Sequence, residues 1–453
     1  MVLGLTSATG LDDGMEALGD ADAELEPPQA VMLATATTEA SPSRHEPSIQ
    51  RLTRRDATRC RASSTLFGDM IQAQVGGSVA AGFEPVQEAF AANFEEHGEV
   101  GAACCIYLHG KRIVDVWGGV TAPGGSQPYT AETLQMVWST TKGVVAMAAH
   151  ILAQEGKLEF DAPVTDYWPE FAAEGKDGIP VRWLFCHKSG LAAVDRPLGL
   201  ADVVAWTPCV DALAAQRPYW EPGTAHGYHT WTYGWLAGEV IRRVTGKSVG
   251  AVVAERIANP LQAEFWIGLP EAMDARVAPV IPPTPAAPGA APDPWAARLA
   301  DPNSLAHKSW ANPAVPPTAF NDHQFWRAEV PAGNGIGTAR ALSRLYAACI
   351  GEVDGVRLLE PKTLEQATKQ QARGEDLVQG YETRFGTGFQ LSFPFRPMAG
   401  EGSFGHYGSG GSVGFAHQEL GIAFGYTMNQ MRPVYGKDPR TTGLVESLLG
   451  CLR

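Results

Sequence analysis

The sequence predicts an α/β (strictly α+β) fold: one antiparallel sheet built from N- and C-terminal segments, flanked by helices, with a mainly helical domain inserted between. Two strand-like runs, 101–108 and 112–117, meet at His109-Gly110-Lys111, which is a hairpin signal. Two more strand candidates, 411–417 and 421–428, stand near the other end. The long stretch between them is mostly helical in pattern. Strands at both ends imply one sheet completed by the two ends of the chain. The expected division is an α/β domain from 76–160 and 330–453, and a helical domain from 161–329.

At 453 residues, 45% hydrophobic and 19% charged, the chain can bury a large core. A formal net charge of −14 argues against a broad basic surface for nucleic acid. No apolar run is long enough to cross a bilayer, so no membrane partner is expected. The most apolar stretch, 144–152, is interrupted by His150 and reads as a buried helix. Seven cysteines, at 60, 104, 105, 186, 209, 349 and 451, include no Cys-x-x-Cys. That pattern argues against a zinc site or a disulfide framework, and neither metal nor cofactor is expected. Scattered thiols and a start without a basic, then apolar, leader make the cytoplasm the expected location.

In chain order, residues 1–75 read as a disordered or non-native extension. They are rich in Ala, Thr, Ser, Pro and Glu, carry arginines between 51 and 61, and show no amphipathic period. A helix is expected over 83–96, with Val86, Phe90 and Phe94 on one face. The hairpin and the buried helix follow. Between 278 and 317 the chain is crowded with Pro and Ala, and reads as an irregular excursion, either linker or active-site cover. After Asn334-Gly335-Ile336-Gly337 another helix is expected over 338–351, before the last strands.

Three segments carry chemistry. Trp138-Ser139-Thr140-Thr141-Lys142 holds the sequence's one Ser-x-x-Lys. On a helix, residues three apart share a face, so Lys142 can stand beside the Ser139 hydroxyl. A serine alcohol needs such a base, and a lysine serves if desolvation lowers its pKa. The plain alternative is a helix start with a solvated lysine. The second segment, His226-Gly227-Tyr228-His229-Thr230, precedes an apolar helical stripe, so the Tyr228 phenol can enter a cleft. By itself a tyrosine there is more often core. The third, Phe404-Gly405-His406-Tyr407-Gly408-Ser409-Gly410-Gly411-Ser412, enters the last strands and lets a backbone edge approach a ligand; its bland reading is a glycine-rich turn.

In this order and spacing the three segments resemble the β-lactamase and penicillin-binding-protein superfamily, and more closely its family VIII carboxylesterases. Two further stretches support the resemblance: Val181-Arg182-Trp183-Leu184-Phe185-Cys186-His187-Lys188-Ser189-Gly190-Leu191, and the turn Asn334 to Thr338. It spans roughly residue 82 to the C-terminus and implies a β-lactamase/transpeptidase-like fold. It also implies a serine nucleophile, Ser139, with Lys142 and Tyr228 relaying the proton, and an oxyanion hole of the Ser139 and Ser409 N–H groups. Trp138, Thr230, His406, Tyr407 and Gly408 would bind substrate. Two positions depart from the family's pattern. Its Tyr-x-Asn stands here as Tyr228-His229-Thr230, without the side-chain amide, and its Lys-Thr-Gly as His406-Tyr407-Gly408, without the fixed cation. Both departures favour neutral esters over β-lactams or peptides.

The expected activity is therefore a cofactor-free carboxylesterase cleaving short- to medium-chain acyl esters through an acyl-enzyme. The alternatives are a β-lactamase, D-aminopeptidase or acyltransferase using the same serine, and a catalytically silent ligand-binding or scaffold member. The expected partner is a small-molecule ester, and a homo-oligomer stays open. Two Gly-x-Ser-x-Gly matches, around Ser248 and Ser412, lack the strand–turn–helix context of a nucleophile elbow and are expected to be incidental. His226 and His229 lack a third ligand, and His187 reads as a hydrogen-bonded fold residue. Trp138, Trp231 and Trp310 are candidates for an acyl pocket and Trp235 for the core. The Pro-rich stretch, with Phe320, Phe325 and Trp326 beyond it, is a candidate roof.

Overall fold

A computed structural model describes residues 75–284, 294–433 and 436–453. The chain divides into two units, 1–70 and 71–453, and the second is the one described. Nearly all of the expected extension over 1–75, Cys60 included, lies outside the described residues.

The main sheet takes its strands from both ends of the chain. Near the N-terminus are β1 (Gly76–Val79), β2 (Gly101–Leu108) and β3 (Lys111–Gly119). A small second sheet comes from the middle: β4 (Gln135–Met136), β5 (Phe265–Trp266) and β6 (Ile336–Gly337), in the order β4-β6-β5. The C-terminal part adds β7 (Ala372–Glu375), β8 (Glu382–Phe385), β9 (Gln390–Leu391), β10 (Ser403–Tyr407), β11 (Val413–His417) and β12 (Ile422–Met428). The nine-stranded order is β1-β3-β2-β12-β11-β10-β9-β8-β7, antiparallel throughout. β2 and β12 join the two ends, Ile106 opposite Phe424.

Helices cover both faces of this sheet, so β2 is buried along almost its whole length instead of alternating with polar residues. Ala102, Cys104 and Ile106 pack toward α1 (Glu84–Glu96) and the helix Pro439–Cys451, among Val86, Phe90, Leu444 and Leu448. Ala103, Cys105 and Tyr107 face the opposite layer, which holds α2 (Thr140–Gln154) and the helix Ala339–Ile350. The adjacent cysteines therefore point apart. Burial pushes both thiols up, Cys105 to about 12, which keeps them protonated and inert.

Two expectations are corrected. The last hundred residues form six strands, not two, because β7 to β10 are only two to five residues long and polar or glycine-containing. The stretch 278–317 is not wholly irregular, since it contains the helices Pro294–Ala300 and Leu305–Ala311. Proline suits a first helical position, where its missing N–H would have no partner, and Ser304 caps the second helix by accepting from His307 N–H.

Candidate active site

The Ser139 segment is held in place before α2 begins. Trp138 adopts φ +49°, a left-handed backbone unusual for a bulky residue, and Ser139 at the N-cap returns to helical dihedrals. Two hydrogen bonds fix this bend to the turn before β6: Val137 N–H donates to Gly335 O (2.8 Å), and Gly335 N–H donates to Thr141 Oγ1 (2.9 Å). Glycine is required at 335, where a Cβ would stand 2.6 Å from both Thr141 Oγ1 and the Phe265 ring. That is the physical content of the Asn334-Gly335-Ile336-Gly337 phrase. It brings Ala332 and Gly335 against the start of α2.

Lys142, one turn into α2, is fully buried. Its Nζ lies 3.1 Å from Ser139 Oγ, 2.9 Å from Thr230 O and 2.8 Å from Ala332 O. Among the described residues no carboxylate pairs with it, and burial holds its pKa well below the lysine range. A neutral amine has two N–H donors and one lone pair. The two carbonyls take the donors, which leaves the lone pair facing the Ser139 hydroxyl.

Tyr228 closes the other side, its ring centroid 4.9 Å from Lys142 Nζ. Burial pushes its phenol above the usual range, while a hydrogen bond with Ser139 draws it back. The buried Asp376 holds its backbone. One carboxylate oxygen accepts the N–H groups of Tyr228, Val378 and Gln379, each at 2.9 Å, and the other accepts the Thr383 hydroxyl at 3.1 Å. His187 O accepts Gly227 N–H (3.1 Å), and His187 Nδ1 accepts His229 N–H (3.2 Å). His229 Nε2 bonds the Ser189 hydroxyl (2.8 Å), and His226 Nε2 bonds Thr383 Oγ1 (2.8 Å). The His187-to-Leu191 phrase thus shapes the tyrosine turn. Burial lowers His229 to about 4 and His406 to about 3, so both are neutral near pH 7. Among the described residues no group of three or more His, Cys, Asp or Glu side chains is arranged to hold a metal.

The end of β10 forms the third wall. A Cβ on Gly408 would lie 2.3 Å from Val137 O, so only glycine lets this strand end run beside the Ser139 segment. A cavity of about 240 Å³ opens between the three walls, lined by Ser139, Tyr228, Thr230 and the run Tyr407 to Gly410. Among the described residues the backbone N–H groups of Ser139 and Ser409 have no protein acceptor.

The structure brings Ser139, Lys142 and Tyr228 together and puts Thr230, Tyr407, Gly408 and Ser409 on the cavity wall. Two residues expected to touch substrate do not line it. Trp138 is buried edge-on against Phe320 (centroids 4.6 Å apart), and His406 is buried behind the wall. Of the tryptophans named as pocket candidates, Trp310 lines the cavity. Pro283 and Trp295 join it from the Pro-rich excursion, whose residues 285–293 lie outside the described residues. Ser412 is fully buried and gives its hydroxyl to Val137 O (2.8 Å), while Ser248 caps a helix and bonds Glu329. Sequence reasoning missed Asp376, Arg396 and Arg432. Nothing in the local pattern around Asp376 points at a tyrosine 148 positions earlier.

Comparison with known proteins bears on the family and the fold. The family model described as Beta-lactamase matches residues 86–446. The "Esterase/beta-lactamase LipL" of Mycobacterium tuberculosis is 34% identical over 376 residues, covering 82% of this chain and 86% of that protein. A solved family VIII carboxylesterase superposes with a TM-score of 0.76 at 38% identity, covering 83% of this chain and all of that one. A penicillin-binding-protein homologue from Caulobacter crescentus gives 0.75 at 35%, with 83% and 100% coverage. Among the described residues no helix is long and apolar enough to cross a membrane.

Proposed function

The chain belongs to the beta-lactamase family, and on that premise we propose that it is a carboxylic ester hydrolase cleaving short- to medium-chain acyl esters through an acyl-enzyme on Ser139. One observation carries the reading: the buried Lys142 amine is satisfied by two carbonyls and one hydroxyl, and that hydroxyl is Ser139.

Ser139 Oγ attacks the ester carbonyl carbon as its proton passes to the Lys142 lone pair. The carbonyl oxygen becomes an oxyanion between the Ser139 and Ser409 N–H groups, where losing one donor commonly costs ~2.7–4 kcal/mol of barrier. Tyr228, protonated because burial raises its phenol, gives its proton to the leaving alcohol and recovers one from Lys142. Water then attacks the acyl-enzyme, its proton passing to the Tyr228–Lys142 pair and on to Ser139 Oγ as the acid leaves. Position 230 is a threonine where the family's pattern has an asparagine, so the side-chain amide of that pattern is missing there, which favours esters over β-lactams.

The test is fluorophosphonate labelling read by mass spectrometry, beside turnover of 4-nitrophenyl acetate, butyrate and octanoate and of nitrocefin, on wild type and Ser139→Ala. The expected result is a label on Ser139 and ester turnover abolished in the variant. A label on Ser412, or none on well-folded protein without turnover, overturns the proposal. Nitrocefin hydrolysis matching the best ester would move it to the β-lactamase reading.

A further inference from the structure

The Ser409 N–H of the proposed oxyanion hole belongs to the turn Gly408 to Gly411, which joins β10 to β11. Gly411 N–H donates to Gly408 O (3.2 Å), and Gly408 N–H donates to Ser412 O (2.7 Å). Three of the four residues are glycine, so the turn has little side chain of its own to fix it. An oxyanion donor nevertheless has to be held to within about 0.5 Å. The anchor is a fully buried arginine, Arg440, at the start of the helix Pro439–Cys451. Each of its five N–H groups has an acceptor. Nε–H donates to Asp438 Oδ1 (3.1 Å), Nη1 to Glu99 Oε2 (2.9 Å) and Gln430 O (3.0 Å), and Nη2 to Asp438 Oδ2 (2.8 Å) and Gly410 O. Asp438 Oδ1 also caps the helix by accepting Arg440 N–H (3.0 Å). Arg432, which lines the cavity with Arg396, gives its backbone N–H to the same Gly410 O (3.2 Å). The fit is close. A Cβ on Gly411 would stand 2.2 Å from Arg440 Nη2 and 2.6 Å from Asp438 Oδ2.

A buried ion pair does little for stability that packed hydrophobic side chains of the same volume would not do. What a hydrophobic side chain cannot do is hold a carbonyl in place. The Gly410 carbonyl that Arg440 holds shares one peptide group with the Gly411 N–H, and that N–H donates to Gly408 O. The Gly408 carbonyl in turn shares one peptide group with the Ser409 N–H. Two planar peptide groups in series therefore run from the guanidinium to the oxyanion donor, and each passes orientation from its oxygen to its N–H. Hydrogen bonds in series also polarise one another, here in the sense that makes the Ser409 N–H the better donor. We propose that Arg440 is a positioning residue for the reaction: it fixes the Gly408–Gly411 turn through the Gly410 carbonyl and so aims the Ser409 N–H at the oxyanion. The inference rests on the serine-hydrolase reading and adds to that site a residue that never touches substrate.

The test needs a readout that belongs to the oxyanion and not to stability. On the full chain, 4-nitrophenyl butyrate is compared with its thiono counterpart, in which sulfur replaces the carbonyl oxygen. Sulfur is larger and a weaker hydrogen-bond acceptor, so well-aimed N–H groups help the oxoester more, and the oxo-to-thiono ratio of kcat/KM reports their aim. Arg440→Lys keeps the charge, but three donors on one nitrogen cannot hold both carboxylates and both carbonyls. Asp438→Asn is the milder variant. It keeps the helix cap and the volume, and puts an N–H₂ against the Nη2 that reaches Gly410 O. Leu444→Ala, in the core face of the same helix, is the control for stability alone. In Arg440→Lys the oxoester kcat falls about tenfold to a hundredfold with KM little changed, and the ratio falls with it. Asp438→Asn moves both in the same direction by about threefold to tenfold, while Leu444→Ala lowers the melting temperature and leaves the ratio at its wild-type value. A wild-type ratio in a folded Arg440→Lys overturns the proposal, and if that variant does not fold, a wild-type ratio in Asp438→Asn overturns it alone. A ratio that falls as far in Leu444→Ala also overturns it, since the effect would then follow stability. If esters are still turned over through Ser139 in those cases, the hydrolase reading stands and only the role of Arg440 falls. If wild type neither turns over ester nor takes a label on Ser139, both fall.

Discussion

Lys142 and Lys176 are both fully buried, and among the described residues neither forms a salt bridge, yet the structure uses them in opposite ways. Lys176 Nζ donates to three carbonyls: Ala173 O (2.7 Å), Ala214 O (2.9 Å) and Gln216 O (2.7 Å). Three acceptors match the three protons of an ammonium, and burial lowers this lysine only to about 8, with Glu174 opposing the shift. Lys142 has two carbonyls and a hydroxyl. The third place can give as well as take a hydrogen bond, so the neutral amine is as well satisfied as the charged one. Acceptor count, not burial alone, separates a structural lysine from a lysine that can act as a base.

The sharpest way to break this comparison is to replace both lysines with methionine. Lys142→Met removes the base and is expected to lower kcat by about 10⁴-fold or more, as removing a member of a catalytic unit does elsewhere. A folded variant keeping a tenth of its esterase activity would show that Lys142 is not the base. Asp376→Asn comes next. It keeps the size of the side chain but turns an acceptor-only group into one with N–H donors, facing four donors. Tyr228 then shifts, and kcat falls about tenfold to a hundredfold with KM little changed. A rise in KM at constant kcat would instead mean that Asp376 shapes substrate binding. Lys176→Met is the control. It strands three carbonyls, each at about 1–3 kcal/mol, so thermal stability drops while kcat per labelled Ser139 stays at the wild-type value.

How far this contrast was legible in the sequence differs between the two lysines. Ser139 and Lys142 are three apart on one helix, and local spacing is what a sequence displays. The two ends of the sheet were legible for the same reason, since 101–108, 112–117 and the last strands are rich in apolar residues over short local runs. Lys176 carries no such mark, because its acceptors lie three, 38 and 40 positions away. Asp376 and the two cavity arginines were hidden likewise. Each acts where chain segments meet only after folding, and the short strands β7 to β10 that place Asp376 and Arg396 have too few residues to show a period. Trp138 was misplaced because the backbone turns sharply between it and Ser139. The left-handed turn that presents Ser139 to the cavity sends the indole into the core.

The smallest effect is in pH, where the two lysines separate again. In the proposed mechanism attack by Ser139 needs the neutral Lys142 amine, so kcat/KM is expected to rise as pH increases through the Lys142 pKa, which burial holds well below the 10.5 of a free lysine. The buried histidines contribute no limb above about pH 5, because His229 and His406 have lost their protons by about 4 and 3. Lys176 acts on stability instead. Below about pH 8 it is charged in both the folded and unfolded chain, and the cost of burying that charge is fully present. Between about 8 and 10.5 the unfolded chain binds more protons than the folded one, so folding gains as pH rises through that window. Wild type should therefore gain stability relative to Lys176→Met across it, measured by urea denaturation at a series of pH values. The kcat/KM profiles of the two proteins should superpose. If Lys176→Met displaced the activity profile, the two lysines would be coupled, and counting the acceptors of each separately would no longer explain which one is the base.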